Sequence, residues 1–221
     1  MNSIIARGSS TAMPKASIDA LLADVIPRRA RIVFGVDATA SRQPTWDSAA
    51  VLQAQMFHAA GNISAQLVYF RGWNGETRAS QWFDNPEALA DAMSRITCVA
   101  GHTQFEKVLK HAAREHAAKP IAALILISDS CEEEESALYA AARKLPVPVF
   151  MFQEGRSDFV SGIFGRIAKI TGGALAQLDA ASAAKLGEML KAVAVYATGG
   201  IKALTAHGGE AARLLLTQVR E

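Results

Sequence analysis

Short apolar segments alternate with amphipathic segments along most of this chain, and this alternation constrains the fold more than any other feature. Residues 121–127 form an apolar run of the kind found in strands that are covered on both faces of a parallel sheet. The preceding segment, 103–118, carries apolar residues three and four positions apart, which indicates a helix with one face on the sheet. We therefore predict an α/β fold with a doubly wound, mostly parallel sheet, right-handed crossovers and helices on both faces.

The same two patterns predict the other elements. Further parallel strands are expected at 31–37, 65–70, 147–152 and 174–178, and a strand at 77–83 is expected to pair antiparallel with the second strand as a sheet edge. Further helices are expected at 17–25, 45–60, 84–96, 132–144 and 158–170. The four glutamates from Glu132 to Glu135 are predicted to form the solvated first turn of one of these helices, where the helix dipole favours acids. The alternative is that some of them border a binding site and affect the choice of partner.

The sequence also suggests how the chain is divided. Residues 1–30 are predicted to be a leader that ends in a short helix, residues 31–197 the α/β domain, and residues 198–221 a helical extension. The tail from residue 181 onward is predicted to be helical, because its apolar residues are interrupted only by two pairs of glycines, at 199–200 and 208–209. We expect this tail to pack on the domain or on a partner.

Composition argues against several classes of protein. The 221 residues carry a formal net charge of only +2, so we expect no nucleic-acid partner and no binding to an anionic membrane. The two cysteines, Cys98 and Cys131, are too few for a disulfide framework or a thiolate metal site. The first residues lack the pattern of a secretory signal, and charged residues interrupt every long apolar run. A cytoplasmic location is therefore predicted.

Oxygen-bearing side chains stand at the ends of the predicted elements. These are Asp37, Thr39 and Ser41 after the first strand, Thr103 at the start of a helix, and Asp129 after the strand that follows that helix. Ligands of open α/β sheets gather at the carboxyl ends of the strands, so we expect these side chains to meet there. Two carboxylates and three hydroxyls form a hard, all-oxygen set, which suits Mg²⁺, and also Mn²⁺ or Ca²⁺, better than zinc.

Each of these residues also has an ordinary structural interpretation. Acids commonly occupy turns at strand ends, and hydroxyls such as those of Thr39 and Ser41 often bond the local backbone. Thr103 is placed to cap its helix, with Glu106 three residues later completing a capping box. The metal-binding interpretation is favoured because all five residues occur in order, each at the end of an element.

The pattern Asp37-x-Thr39-x-Ser41, followed by Thr103 and Asp129, resembles the metal-ion-dependent adhesion site (MIDAS) of von Willebrand factor type A (VWA) domains. The order of the elements over about residues 31–195 is similar as well. The resemblance implies a Rossmann-like protein-interaction module rather than an enzyme. It also implies that the three hydroxyls contact the cation, that the two acids act mainly through bound water, and that a Glu or Asp of a partner protein completes the shell.

Three other functions remain open. A metal-dependent phosphohydrolase of the haloacid dehalogenase type also has an Asp after its first strand, but its chemistry needs a second acid two residues later, where this chain has Thr39. A nucleotide-binding domain is disfavoured because no phosphate-binding glycine motif follows the first strand. The third alternative is a scaffold protein whose metal site is vestigial.

Overall fold

The computed structural model of this chain describes residues 29–42, 62–178 and 183–219. The predicted helices at 17–25 and 45–60 lie outside the described residues. The strands are β1 (Ala30–Asp37), β2 (Ile63–Arg71), β3 (Glu76–Phe83), β4 (Ala123–Ser128), β5 (Val149–Glu154) and β6 (Ala174–Leu178). The described helices are α1 (Pro86–Ser94), α2 (Phe105–Ala118), α3 (Glu135–Arg143), α4 (Asp158–Thr171), α5 (Ala183–His207) and α6 (Gly209–Leu216), and a short 3₁₀ turn (Ala40–Arg42) follows β1.

The six strands form one sheet in the order β3-β2-β1-β4-β5-β6. All neighbouring strands are parallel except β3, which pairs antiparallel with β2 at the sheet edge. This confirms the predicted α/β fold, including its antiparallel edge strand. The order of the strands makes β1 and β4 direct neighbours, with Val36 paired to Ile127. The residues that follow these two strands therefore lie side by side.

Apolar side chains on the two faces of the sheet form two separate cores. On one face, residues such as Phe34 pack against helices α1, α5 and α6. On the other face, residues such as Val33 pack against α2, α3 and α4. Strands with apolar residues on both faces require helices on both sides, because either face would otherwise expose a large apolar area to water. The prediction of helices on both faces is confirmed.

The C-terminal tail packs on the domain, which is one of the two arrangements predicted for it. Helix α5 is broken at Gly200 and ends before Gly208, both of which have positive φ angles of 63° and 68°. Leu204 and Leu215 are fully buried in the same core as the sheet. The Gln218 side chain accepts a hydrogen bond from the Leu175 N–H at 2.9 Å and donates one to the Leu175 carbonyl at 3.0 Å, so it covers part of the open edge of β6.

In the parts of the chain that the structure describes, each helix is too short or too polar to cross a lipid bilayer.

Two helix starts differ from the prediction. Helix α2 begins at Phe105 after Gln104, and neither Gln104 nor Thr103 caps it with a side chain. Helix α3 begins at Glu135, so Glu132 lies before the helix and not in its first turn. The capping-box prediction is wrong because an acid from another part of the chain takes the place of the local cap: the Glu133 carboxylate accepts hydrogen bonds from the backbone N–H groups of Phe105 and Glu106.

A half-buried histidine on α2 makes the stability of the fold sensitive to pH. Burial lowers the pKa of His111 below 6.5, although the nearby carboxylate of Glu115 acts in the opposite direction. Its Nε2 lies 2.8 Å from Gln66 Oε1. Because the folded-state pKa is lowered, the contribution of neutral His111 is complete above the unfolded pKa and is lost as pH falls.

We therefore expect His111→Gln to reduce the fall in melting temperature between about pH 7 and pH 5. His207→Gln serves as the matched control, because it replaces an exposed histidine by the same residue. Thermal unfolding followed by circular dichroism across this range tests the prediction, and an unaltered pH dependence in His111→Gln would contradict it.

Candidate metal centre

Asp37, the last residue of β1, is fully buried, and both oxygens of its carboxylate accept hydrogen bonds. The backbone N–H of Thr39 donates to Oδ1 at 2.8 Å, and the hydroxyl of Ser128 donates to Oδ2 at 2.6 Å. Burial nevertheless raises the pKa of Asp37 above its ordinary value of 3.8, and the negative charge of Asp129 adds to this effect. The charge of Asp37 is therefore costly in the folded protein, and a nearby cation would stabilise it.

The two hydroxyls predicted to accompany Asp37 lie together in the turn after β1. The Thr39 Oγ1 atom is 3.2 Å from the Ser41 Oγ atom, so the alternate spacing in the sequence brings the two side chains to the same side of the turn. Thr39 is 6% exposed, whereas Ser41 is exposed. This turn therefore presents two oxygen atoms beside the buried carboxylate.

Asp129 follows β4 directly, and one oxygen of its carboxylate is buried. Its Oδ1 atom is inaccessible to solvent, and none of the residues that the structure describes donates a hydrogen bond to it. Since the parallel register sets Val36 opposite Ile127, Asp129 lies one residue beyond the level of Asp37, and its charge acts on the Asp37 carboxyl. Buried polar atoms without a hydrogen bond are rare and call for a ligand, an ion or water.

Thr103 lies in the loop before α2 and is bound to the loop that follows Asp129. The backbone N–H of Glu132 donates to the Thr103 hydroxyl at 3.2 Å, and the Thr103 N–H donates to Glu132 Oε2 at 3.0 Å. The Glu133 carboxylate accepts hydrogen bonds from the backbone N–H groups of Phe105 and Glu106, which open α2, at 2.5 and 2.9 Å. We call this pair of consecutive acids, Glu132 and Glu133, the glutamate clamp.

The opposite side of the Thr103 loop is held by the ends of β1 and β2. The backbone N–H of Val99 donates to the Ala38 carbonyl at 3.0 Å, and the N–H of Gly72 donates to the Val99 carbonyl at 3.3 Å. Gly101 lies so close to Gly72 that a Cβ atom on Gly101 would be 2.3 Å from its carbonyl carbon. Thus the Thr103 loop is attached to β1 on one side and to the loop after β4 on the other.

The structure accordingly brings the five residues predicted to bind metal to one edge of the sheet. Three further residues contribute to this arrangement and were not assigned to it from the sequence: Ser128, Glu132 and Glu133. The prediction of Glu132 to Glu135 as a solvated helix start is wrong for the first two, because they bond the Thr103 loop. A signal for Ser128 was available, since it is the one polar residue in the otherwise apolar strand β4.

The side chains present fit a hard divalent cation. Within residues 29–42, 62–178 and 183–219, no group of three histidine, cysteine or acidic side chains is placed to hold a metal ion, so a site here would depend on hydroxyls and water beside its two acids. This set matches Mg²⁺ or Mn²⁺ and argues against zinc. Burial raises the pKa of the Cys131 thiol to about 11, so a thiolate ligand or nucleophile is not expected at neutral pH.

Comparisons with known proteins address the fold. No protein-family model matches the sequence, and a search of curated proteins gave no match. Among solved structures, a von Willebrand factor type A protein from Catenulispora acidiphila is similar, with a TM-score of 0.62 and 18% sequence identity over 78% of this chain and 43% of that chain. The SpRpn10 VWA domain has a TM-score of 0.55 and 12% identity over 70% of this chain and 90% of that domain.

The pilus adhesin SpaC from Lactobacillus rhamnosus GG, in its open conformation, has a TM-score of 0.59 and 12% identity, over 77% of this chain and 30% of that protein. The chain therefore spans less than half the length of the Catenulispora protein and of SpaC. Identities this low carry information on the fold only. Together with the strand order and the two helical layers, these similarities identify the fold of this chain as that of von Willebrand factor type A domains.

Proposed function

We propose that this chain is a protein-interaction module that depends on a divalent cation and binds an acidic side chain of a partner protein at the edge formed by Asp37, Thr39, Ser41, Thr103 and Asp129. The fold supports an interaction role in general, because one of the similar structures is a pilus adhesin. The cation we propose is Mg²⁺ or Mn²⁺, with Ca²⁺ as a further possibility in the same all-oxygen set.

The observation that carries the proposal is the Oδ1 atom of Asp129, which is buried and has no hydrogen-bond partner in the part of the chain that the structure describes. A buried carboxylate oxygen without a partner costs free energy unless a positive charge or a donor reaches it. Hydroxyls of the predicted ligand set lie in the loops that border this atom, and the second acid, Asp37, already has a raised pKa. A cation between these groups would offset the cost of both acids.

The chain's own residues would have distinct roles in such a site. Asp37 holds the turn after β1 through the Thr39 N–H and fixes the end of β4 through Ser128, so it orients two neighbouring strands. The glutamate clamp holds the hydroxyl of Thr103 at the loop after β4. A bound Mg²⁺ or Mn²⁺ would supply a Lewis-acidic position at which an external carboxylate gains a strong interaction.

The environment of Asp37 also favours binding over phosphoryl transfer. A nucleophilic aspartate needs an oxygen that can reach the substrate, whereas Asp37 is fully buried and both of its oxygens accept hydrogen bonds from the protein. The position two residues later holds Thr39, whose hydroxyl is a poor general acid at neutral pH.

A calorimetric titration of the full chain with MnCl₂ tests the proposal. We expect one bound ion per chain, and we expect binding to be lost in Asp129→Asn because the buried charge is removed. Asp91→Asn, which changes an exposed acid on helix α1, serves as the matched control and should bind Mn²⁺ like the unaltered protein. If the unaltered chain binds neither Mn²⁺ nor Mg²⁺, the proposal is contradicted and a vestigial site is favoured. Hydrolysis of p-nitrophenyl phosphate that depends on Asp37 would instead favour the phosphohydrolase.

A further inference from the structure

Exposed large apolar side chains are concentrated at the edge that carries the candidate metal centre. In the described parts of the chain these are Trp73, Val99 and Phe159, with exposed fractions of 68%, 44% and 64%. Trp73 lies in the turn after β2, Val99 lies in the segment that bonds the end of β1, and Phe159 lies in the first turn of the helix after β5. All three therefore lie near the carboxyl ends of parallel strands, where ligands of this kind of sheet bind.

Trp73 is held beside the candidate metal centre by its neighbours. Its ring makes an edge contact with the ring of His102, with 4.7 Å between the centroids and an angle of 83° between the planes. His102 directly precedes Thr103. The backbone before Trp73 is fixed because Gly72 packs against Gly101 and bonds the Val99 carbonyl. The indole is thus oriented, yet it remains mostly in water.

An oriented and exposed tryptophan contributes little to the core and fits a binding contact. Trp is among the residues that most often dominate the binding energy of interfaces, because its ring removes a large apolar area from water at a small entropic cost. We call the surface formed by Trp73 and His102 the aromatic platform.

The surface on the other side of Thr103 is acidic. The Glu132 carboxylate accepts a hydrogen bond from the Thr103 N–H. The side chains of Glu132, Glu134 and Glu135 are all exposed. A partner segment with several acids would be repelled here, because like charges that face each other across an interface cost free energy. A basic side chain would be attracted instead.

We propose that this edge binds a protein segment in which a single Asp or Glu stands between a large apolar residue and a basic residue, with the apolar residue on the aromatic platform and the basic residue facing Glu132, Glu134 and Glu135. This inference rests on the proposed function, because it assigns the acid of that segment to the metal centre. It adds the residues on either side of the acid and the direction in which the segment lies across the edge.

A selection from a random peptide library displayed on phage tests this inference. The full chain is immobilised in MnCl₂, bound phage are released with EDTA, and the recovered sequences are read. We expect enrichment of sequences that contain a large apolar residue, an acid and a basic residue in close succession. Recovered sequences without this combination, obtained from protein that binds Mn²⁺ in calorimetry, would overturn the inference and leave the proposed function standing. Absence of Mn²⁺ binding would instead overturn the proposed function, and this inference with it.

Variants locate the contacts of the best recovered peptide. Trp73→Ala should weaken its binding about tenfold or more, as truncation of an anchoring aromatic residue does. Phe159→Ala removes an aromatic side chain of similar exposure at the same edge and should have a small effect. Glu134→Lys should weaken the binding of this peptide. It should not change the binding of a version of the peptide in which serine replaces the basic residue. Equal effects of Trp73→Ala and Phe159→Ala, or none from Glu134→Lys, would overturn the assigned contacts, and calorimetry with MnCl₂ should show unchanged metal binding in all three variants.

Discussion

Asp37→Asn is expected to raise the melting temperature of the metal-free protein and to abolish its stabilisation by Mn²⁺. Burial raises the pKa of Asp37, so the charged carboxylate weakens the folded state at neutral pH. An asparagine keeps the acceptor for the Thr39 N–H and can donate to the Ser128 hydroxyl, so the neutral side chain retains both contacts. A gain of about 1 kcal/mol in the free energy of unfolding corresponds to roughly 2–4 °C for a chain of this size.

Thermal unfolding in EDTA and in MnCl₂ measures both effects. In excess Mn²⁺ the unaltered protein should be stabilised by about 2.7 kcal/mol when the ion is at a hundred times its dissociation constant, and Asp37→Asn should gain nothing. The pH dependence gives an internal control. Because the folded-state pKa is raised, the advantage of the variant should disappear below pH 3.8, where Asp37 is protonated in the folded and the unfolded chain. A variant that is less stable than the unaltered protein in EDTA would contradict the prediction.

Glu133→Ala is expected to destabilise the protein and to weaken metal binding together. The Glu133 carboxylate accepts hydrogen bonds from two backbone N–H groups at the start of α2, and among the described residues no other side chain caps this helix. Its removal leaves these two partly buried donors without an acceptor, at a cost of about 2 kcal/mol, or roughly 4–8 °C in melting temperature. The loop that carries Thr103 loses one of its two attachments to the segment after β4, so the affinity for Mn²⁺ should also fall.

Glu133→Gln is the matched variant, because its amide oxygen can still accept one of the two hydrogen bonds. We expect it to keep part of the stability and most of the affinity for Mn²⁺. Glu134→Ala changes the next acid, which makes no side-chain hydrogen bond at the start of α3, and should have a small effect on either measurement. A loss of stability in Glu133→Ala with an unchanged affinity for Mn²⁺ would limit the role of Glu133 to capping the helix.

The attachment of the Thr103 loop on both sides has a consequence for partner binding. The backbone N–H of Val99 donates a hydrogen bond to the carbonyl of Ala38, which lies between the predicted metal ligands Asp37 and Thr39. On the other side, the N–H of Thr103 donates to the carboxylate of Glu132. A rigid loop loses little conformational entropy when a partner binds, so more of the interaction energy appears as affinity. The same loop carries His102, so these attachments also connect the aromatic platform to the candidate metal centre.

The sequence alone was sufficient for the type and order of the described elements. The apolar run before Asp129 indicated a buried strand, and the spacing of apolar residues after Thr103 indicated a helix, because both patterns depend only on neighbouring residues. Likewise the glycine pairs in the tail predicted its interruptions, since glycine adopts the positive φ angle that Gly200 and Gly208 require.

Local patterns also pointed to the five candidate metal ligands, since each stands at the end of a strand or helix. Local patterns did not predict that Glu132 and Glu133 bind the Thr103 loop. A run of four acids before a helix looks like a solvated first turn, and nothing local distinguishes Glu133, which caps a helix 28 residues earlier in the chain.

Residue order alone thus predicts the set of elements, the apolar pattern on both faces of the sheet and the oxygen-bearing residues at the element ends, because these follow from local periodicity and residue chemistry. The folded chain adds that β1 and β4 are neighbours and that the Ser128 hydroxyl donates to Asp37. It also adds that a buried oxygen of Asp129 has no partner among the described residues, and that Glu132 and Glu133 hold the Thr103 loop by hydrogen bonds. These features join residues far apart in the chain, and their energies depend on burial and distance, which exist only once the sheet has assembled.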